Sequence, residues 1–127
     1  MDIYRQEILD HFKNPRNFGD VSKMDRVAEE INASCGDRIK LGVKLKKFEV
    51  TNLEYISEVC FSGEGCAVCM AATSMLTEML KNKSLKEAMK IDQKKMIEQL
   101  GIKISSARIK CATLGLEVWQ KLQKNLI

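Results

Sequence analysis

Five cysteines are the residues of this chain with the most evident chemistry: Cys35, Cys60, Cys66, Cys69 and Cys111. A chain of 127 residues buries roughly two thirds of its unfolded surface and does not need disulfides to fold. The N-terminal residues lack the apolar core of a signal peptide, so we expect a cytoplasmic protein in a reducing compartment. There, an odd number of cysteines predicts thiols for metal or sulfur chemistry rather than disulfides.

Two segments place a cysteine where the local sequence favours such chemistry. Cys35 and Asp37 flank Gly36, whose permissive backbone would let a thiolate and a carboxylate converge on a metal. A plain turn, with the Asp37 carboxylate bonded to nearby amides, is the other interpretation, and the tripeptide alone favours it. Cys66 follows a glycine-rich stretch at the predicted start of a helix, where the helix dipole stabilises a thiolate.

The other three cysteines have a simpler interpretation from their local sequence. Cys69 forms a C-x-x-C motif with Cys66, but a thioredoxin-like redox pair belongs in a βαβ unit that the pattern lacks, so we predict a small buried hydrophobe. Cys60 is predicted to be structural, on a strand and opposite the apolar face. Cys111 lies near the start of the last helix on its apolar stripe, which by itself predicts a core residue.

The single histidine, His11, restricts the classes of site that the chain can form. A lone histidine on a first helix is typically a surface or capping residue. No C-x-x-C and H-x-x-x-H spacing exists for a zinc finger, and no catalytic triad of a serine or cysteine protease is supported.

The hydrophobic pattern predicts one α+β domain over residues 1–127, with about three antiparallel strands and four to five helices. Strands are predicted at 38–46, at 53–61 and, less clearly, at 27–33. Helices are predicted at 3–13, capped by Asp2 and stopped at Pro15; at 66–80; after a capping box at Ser84 and Glu87; from Asp92 to Gly101; and from about 106 to the end. The predicted inward faces are Tyr4, Ile8, Leu9 and Phe12 in the first helix, Leu53, Tyr55, Val59 and Phe61 in the second strand, and Ala107, Cys111, Leu114, Val118 and Leu122 in the last helix.

The charges favour neither nucleic acid nor membrane as a partner. The net charge is +4, with 21 basic and 17 acidic residues interleaved along the chain. No apolar run approaches the roughly 18 residues of a membrane span.

Five motifs follow one another in a characteristic order: Tyr4 with Asp10-His11-Phe12-Lys13-Asn14-Pro15-Arg16-Asn17-Phe18-Gly19, then Cys35-Gly36-Asp37, Gly65-Cys66, Ser74-Met75-Leu76-Thr77-Glu78 and Lys110-Cys111-Ala112-Thr113-Leu114. This order resembles the IscU/SufU/NifU-N family of iron-sulfur cluster assembly scaffolds over nearly the whole chain. In combination they are far more specific than any one of them.

The resemblance implies a scaffold that receives sulfur from a cysteine desulfurase, builds a [2Fe-2S] cluster with iron and transfers it to apo-proteins. It implies the ligands Cys35, Asp37, Cys66 and Cys111, with Cys111 as persulfide acceptor, Tyr4 near the site and a homodimer as a conceivable holo form. Three thiolates suit iron-sulfur clusters or zinc, and a harder carboxylate would be the more labile ligand. Cys69 is the alternative fourth ligand.

Two departures from the IscU pattern bear on the expected function. Lys110 stands where IscU-type members carry a histidine, so we expect Asp37 to be the fourth ligand. The Leu-Pro-Pro-Val-Lys segment that a dedicated chaperone recognises is absent. The residues around Cys111 look instead like SufU, which binds zinc and accepts sulfur from its desulfurase, yet the chain is too short to hold the insertion of SufU proteins. We favour the scaffold and keep the zinc-dependent sulfur acceptor as the alternative.

Overall fold

The computed structural model describes residues 5–124, in which helices flank one antiparallel sheet. The elements are α1 (Gln6–Lys13), β1 (Arg26–Asn32), β2 (Asp37–Lys47), β3 (Glu54–Glu64), α2 (Ala67–Leu80), α3 (Leu85–Ala88), α4 (Gln93–Leu100) and α5 (Ile109–Gln123), with 3₁₀ turns at Val21–Lys23 and Ser106–Arg108. The sheet order is β1-β2-β3, and both pairs of strands are antiparallel. The predicted α+β class is confirmed. The predicted cap Asp2, and Tyr4, lie outside the described residues.

The strands follow the alternation that the sequence predicts, except in the first half of β3. In β2, Ile39, Leu41 and Val43 are buried. In β3, Val59 and Phe61 are buried as predicted, but the prediction for Leu53 and Tyr55 is wrong: Ile56 is buried instead, and Leu53 is 62% exposed.

A β-bulge explains the change of phase in β3. Lys44 pairs with Glu58 and Leu45 pairs with Ile56, so Ser57 is an extra residue on β3. Its hydroxyl donates a hydrogen bond to the Lys44 carbonyl at 3.1 Å. One extra residue moves every preceding side chain of the strand to the other face, which is why a strict alternation over 53–61 fails.

The helices α2 and α5 form most of the core together with the sheet. They pack against each other, α5 also contacts β1 and β2, and α2 contacts β3. Gly115 of α5 lies against Thr73 of α2, where an added Cβ would approach the Thr73 Oγ1 to 2.7 Å. Because Cys111 and Cys69 each lie one turn earlier on these helices, this close crossing fixes the spacing of the two cysteine-bearing helix starts.

The predicted helix ends are mostly confirmed. The Asp92 carboxylate accepts from the Lys95 N–H, and Gly101 ends α4 in the left-handed conformation at φ 65°. The capping box is half formed, because the Ser84 hydroxyl accepts from the Glu87 N–H while the Glu87 carboxylate pairs with Lys90 instead.

Two inward faces differ from the prediction. In α1, Ile8 is buried but Phe12 is 42% exposed. Ala107 is exposed, since it lies in a 3₁₀ turn before α5 rather than in the helix. No helix within residues 5–124 is both long and apolar enough to cross a membrane.

Candidate metal and sulfur site

Three of the predicted ligands converge at one end of the sheet. Cys35 lies in the turn between β1 and β2, Asp37 is the first residue of β2, and Cys111 lies in the first turn of α5. One ligand atom of each, two Sγ atoms and a carboxylate oxygen, lie within 4.8 Å of one another. Residues from separate segments therefore present a soft donor pair and a hard donor to a common point.

The Asp37 carboxylate joins this group to the start of α2. Its Oδ1 accepts a hydrogen bond from the Cys66 N–H at 3.0 Å. Its Oδ2 is buried and has no hydrogen-bond partner among the described residues, and the whole residue is 0% exposed. A buried carboxylate oxygen without a donor is costly unless a cation or proton neutralises it, so the donor set fits a bound metal. The turn-only interpretation of Asp37 does not account for that oxygen.

Cys66 is the N-cap of α2, as its predicted place at the helix start requires. Its Sγ accepts from the Cys69 N–H at 3.4 Å. This sulfur lies outside the 4.8 Å group that Cys35, Asp37 and Cys111 form. Cys66 is thus held at the edge of the site, by the bond from its N–H to the Asp37 carboxylate and by the bond from the Cys69 N–H to its sulfur.

Cys35 and Cys111 differ in exposure although their sulfurs are in contact. The Cys111 Sγ donates to the Cys35 Sγ at 3.3 Å. Cys111 is 1% exposed, whereas Cys35 is exposed. Burial, and after it the neighbouring side chains of Cys35, Asp37 and Cys66, raise the pKa of the Cys111 thiol above its ordinary value. A metal cation acts in the opposite direction, because it stabilises the thiolate that ligates it.

Cys69 lies behind this group and is fully buried, as the sequence predicts for a small hydrophobe. Burial, with a smaller contribution from the Asp37 carboxylate, raises the pKa of its thiol. A Cβ added at Gly65 would approach the Asp37 Oδ1 to 2.8 Å and the Cys69 Sγ to 3.2 Å. Glycine at position 65 therefore allows the backbone to approach the carboxylate closely enough for the Cys66 N–H to bond it.

Two further predicted residues lie apart from the converging group. Lys110, at the position of the IscU histidine, is exposed at the start of α5. Cys60 is half-buried on the sheet face opposite Val59 and Phe61, where burial raises the pKa of its thiol. Nothing in its surroundings contradicts a structural role.

A second cluster joins the motif at 10–19 to the motif at 74–78 in α2, both of which belong to the family resemblance. We call it the N-terminal clamp; it consists of His11, Arg16 and Asn17, which bond to Ser74 and Thr77 of α2. The Ser74 Oγ accepts from the Arg16 N–H at 2.8 Å and lies 2.7 Å from the His11 Nδ1. The Asn17 amide donates to the Thr77 Oγ1 at 2.9 Å. His11 is therefore neither a free surface residue nor a cap.

The clamp was missed because its partners are distant in sequence. One signal for it was present: Ser74 and Thr77 are polar residues three apart in a mostly apolar helix, and both are buried. Buried hydroxyls need partners. Burial lowers the pKa of His11, and the hydrogen bond from Arg16 lowers the pKa of Asp10.

Comparison with known proteins finds relatives over nearly the whole chain. The family model described as the NifU-like N-terminal domain matches residues 3–125. The zinc-dependent sulfurtransferase SufU of Bacillus subtilis is 38% identical, with 98% of this chain and 89% of that protein covered. The iron-sulfur cluster assembly scaffold protein IscU of Aquifex aeolicus is 36% identical, with 90% of this chain and 69% of that protein covered.

A solved structure agrees with the fold. The SufU of Fervidobacterium islandicum AW-1, assigned as an iron-sulfur cluster assembly scaffold of the SUF system, superposes with a TM-score of 0.74 at 25% identity, covering 94% of this chain and 96% of that chain. The alignment with the Bacillus SufU spans 141 positions. Because this chain has only 127 residues, at least 14 residues of the Bacillus protein (141 minus 127) have no counterpart in it.

Proposed function

Because the chain belongs to the family of NifU-like N-terminal domains, as its motifs predict, we propose that it is an iron-sulfur cluster assembly scaffold. In this role it receives sulfur from a cysteine desulfurase, assembles a [2Fe-2S] cluster and transfers the cluster to apo-proteins. The observation that carries the proposal is the convergence of two thiols on a buried carboxylate, whose Oδ2 has no hydrogen-bond donor among residues 5–124. Residues 1–127 act as one domain in this proposal.

The proposed ligands are Cys35, Asp37, Cys66 and Cys111. The three sulfurs supply the soft donors that iron-sulfur clusters prefer, and the Asp37 Oδ2 supplies one harder and weaker bond. Iron and sulfide are cargo here, so the site must release them, and the carboxylate is the ligand that an incoming acceptor thiol displaces most readily. Cys69 is less suited to be the fourth ligand, since it is fully buried and its sulfur is not among the atoms that lie within 4.8 Å of one another.

Cys111 is the proposed persulfide acceptor, with the exposed Cys35 beside it. The desulfurase must reach a sulfur that is 1% exposed, and the Cys35 side is where the pair meets solvent. A shift of the turn that carries Cys35 would open this path, because Cys35 and Gly36 are exposed and no atom lies within 4 Å of a Cβ built on Gly36.

A second function is favoured by the chemistry at position 110 and by one relative. Lys110 gives no neutral nitrogen ligand, so the donor set is three sulfurs and one oxygen, which also suits zinc. The Bacillus relative is a zinc-dependent sulfurtransferase. In that role the same residues would hold one zinc ion, whose charge lowers the pKa of the ligating thiols and so makes them nucleophilic toward persulfide sulfur.

Anaerobic purification followed by metal and acid-labile sulfide analysis separates the two functions. For the scaffold we expect iron and sulfide in equal amounts after incubation with iron, cysteine and a cysteine desulfurase, and transfer of that cluster to an apo-ferredoxin. For the sulfurtransferase we expect zinc, no sulfide and faster turnover of the desulfurase. The Cys60→Ser variant is the matched control and should behave as the wild type. Cluster formation that is undiminished in Cys111→Ser would contradict the proposed site.

A further inference from the structure

The sulfurs of Cys35 and Cys111 are in contact, and two thiols in contact can reduce the sulfur that a desulfurase delivers. A persulfide carries sulfur at the sulfane level, whereas a cluster needs sulfide, so each sulfur atom must gain two electrons. The two Sγ atoms are 3.3 Å apart, which is the separation of reacting atoms in a near-attack arrangement. A disulfide between them requires a closure of only roughly 1.3 Å, to the ~2.05 Å of an S–S bond.

We propose that Cys35 and Cys111 act as a resolving pair that converts delivered persulfide sulfur to sulfide in the metal-free protein. This inference rests on the proposed function, since it takes the sulfur that the desulfurase delivers. Cys35 would then be a catalytic residue for sulfur reduction as well as a ligand.

The step balances with the two thiols alone. With the persulfide on Cys111, the Cys35 thiol loses its proton to solvent and its sulfur attacks the Cys111 Sγ. A bond forms between the two Sγ atoms, and the bond from the Cys111 Sγ to the outer sulfur breaks. That electron pair leaves with the outer sulfur as HS⁻. The outer sulfur is reduced by two electrons, and the cysteine pair becomes a disulfide, which a dithiol reductant must reopen before the next cycle.

The position of Cys35 suits this role better than that of any other thiol among the described residues. It lies in an exposed turn whose Gly36 has a φ of 71° and open space around its Cα, so the turn can close on Cys111 and sulfide can leave to solvent. The Cys66 sulfur accepts a backbone hydrogen bond at the cap of α2 and lies outside the group of atoms within 4.8 Å. Cys69 is fully buried beside Gly65, and Cys60 lies on the sheet face opposite Val59 and Phe61.

A single-turnover measurement on the metal-free protein tests the pair. The reduced protein is loaded with sulfur by a cysteine desulfurase and cysteine and, in a parallel sample, by one equivalent of glutathione persulfide. Each sample is desalted and incubated without oxygen, metal or reductant. We expect about one sulfide released for each sulfur loaded, with loss of the Cys35 and Cys111 thiols and a cross-linked peptide that contains both.

Serine variants identify the residues. Cys35→Ser and Cys111→Ser should each keep whatever sulfur they accept as a persulfide and release sulfide at least about tenfold more slowly, because the oriented partner is missing. Cys60→Ser, the matched control, should match the wild type. Retention of the persulfide by the wild type, sulfide release from either single variant at the wild-type rate, or a cross-link to another cysteine would overturn the proposal. Failure of the desulfurase alone to load the protein would count against the proposed function, while the glutathione persulfide sample would still decide the resolving step.

Discussion

The metal and sulfur site and the N-terminal clamp are both built on α2, yet they treat buried polar atoms in opposite ways. In the clamp, the Ser74 and Thr77 hydroxyls have partners within the chain at hydrogen-bond distance. At the site, the Asp37 Oδ2 has no donor in the described part of the chain, and the sulfurs of Cys35 and Cys111 have mainly each other.

The difference in hydrogen bonding distinguishes the motif residues that stabilise the fold from those that we propose to bind metal and sulfur. A satisfied buried network adds stability and needs nothing further, whereas an unsatisfied buried acceptor costs stability in the metal-free chain and gains a partner only when a ligand arrives. The family resemblance by itself does not distinguish the motifs of the clamp from the motifs that carry the proposed ligands. The hydrogen bonds show that His11 and Ser74 join α1 to α2, whereas the Asp37 Oδ2 at the proposed site is left without a donor among the described residues.

The largest effect is expected from removing a sulfur ligand. Cys35→Ser, Cys66→Ser and Cys111→Ser should each weaken metal binding by more than about a hundredfold, since even changes beside a ligand cost roughly 10- to 100-fold. Metal content after desalting measures this directly. Cys60→Ser should retain full metal content, and a folded Cys60→Ser variant without metal would show that the ligands are wrongly assigned.

A smaller effect, on stability alone, is expected in the clamp. Ser74→Ala removes the acceptor of the Arg16 N–H and the partner of His11, so we expect the free energy of unfolding to fall by about 2 kcal/mol. Urea denaturation measures the loss, and Ser62→Ala on the outer sheet face is the control, with little change expected. Metal content should be unchanged, and a parallel loss of metal would mean that the two regions are not separate.

Asp37→Asn is expected to change stability and binding in opposite directions. The amide keeps an oxygen that can accept from the Cys66 N–H but removes a buried negative charge, so the metal-free protein should be as stable as the wild type or slightly more stable. Metal affinity should fall by about tenfold, or about 1.4 kcal/mol. Chemical denaturation of the metal-free form and a zinc titration test the two halves. A large loss of stability would indicate that Asp37 only supports the turn.

Much of the fold, but less of the site, could be predicted from the sequence. The alternation in β2 and the caps at Asp92 and Gly101 are local signals, and the structure confirms them. The bulge at Ser57 is not readable, because the register depends on the partner strand. The family resemblance predicted Cys35, Asp37, Cys66 and Cys111 as ligands, and the structure brings ligand atoms of all but Cys66 within 4.8 Å of one another. The sulfur contact, the bond from the Cys66 N–H to Asp37 and the clamp each depend on two distant segments meeting in space, which no spacing along the chain encodes.

The smallest effect concerns the pH dependence of the clamp. Burial, reinforced by the Arg16 charge, lowers the pKa of His11 from 6.5, although Asp10, Glu7 and Glu78 act in the opposite direction. The unfolded chain therefore takes up the His11 proton at a higher pH than the folded chain does. The stabilisation is fully present above about pH 6.5 and decreases as the pH falls through this value toward the lower folded pKa.

His11→Asn isolates this contribution, because asparagine offers an acceptor near the place of Nδ1 and does not titrate. Between about pH 7.5 and about pH 5.5 the melting temperature of the wild type should fall more than that of the variant, by an amount smaller than the loss in Ser74→Ala. Thermal melts of the two metal-free proteins at matched ionic strength give the difference. Equal slopes would mean that the proton on His11 is not coupled to folding, and the clamp would then act only through the hydrogen bonds of Arg16 and Asn17 to α2.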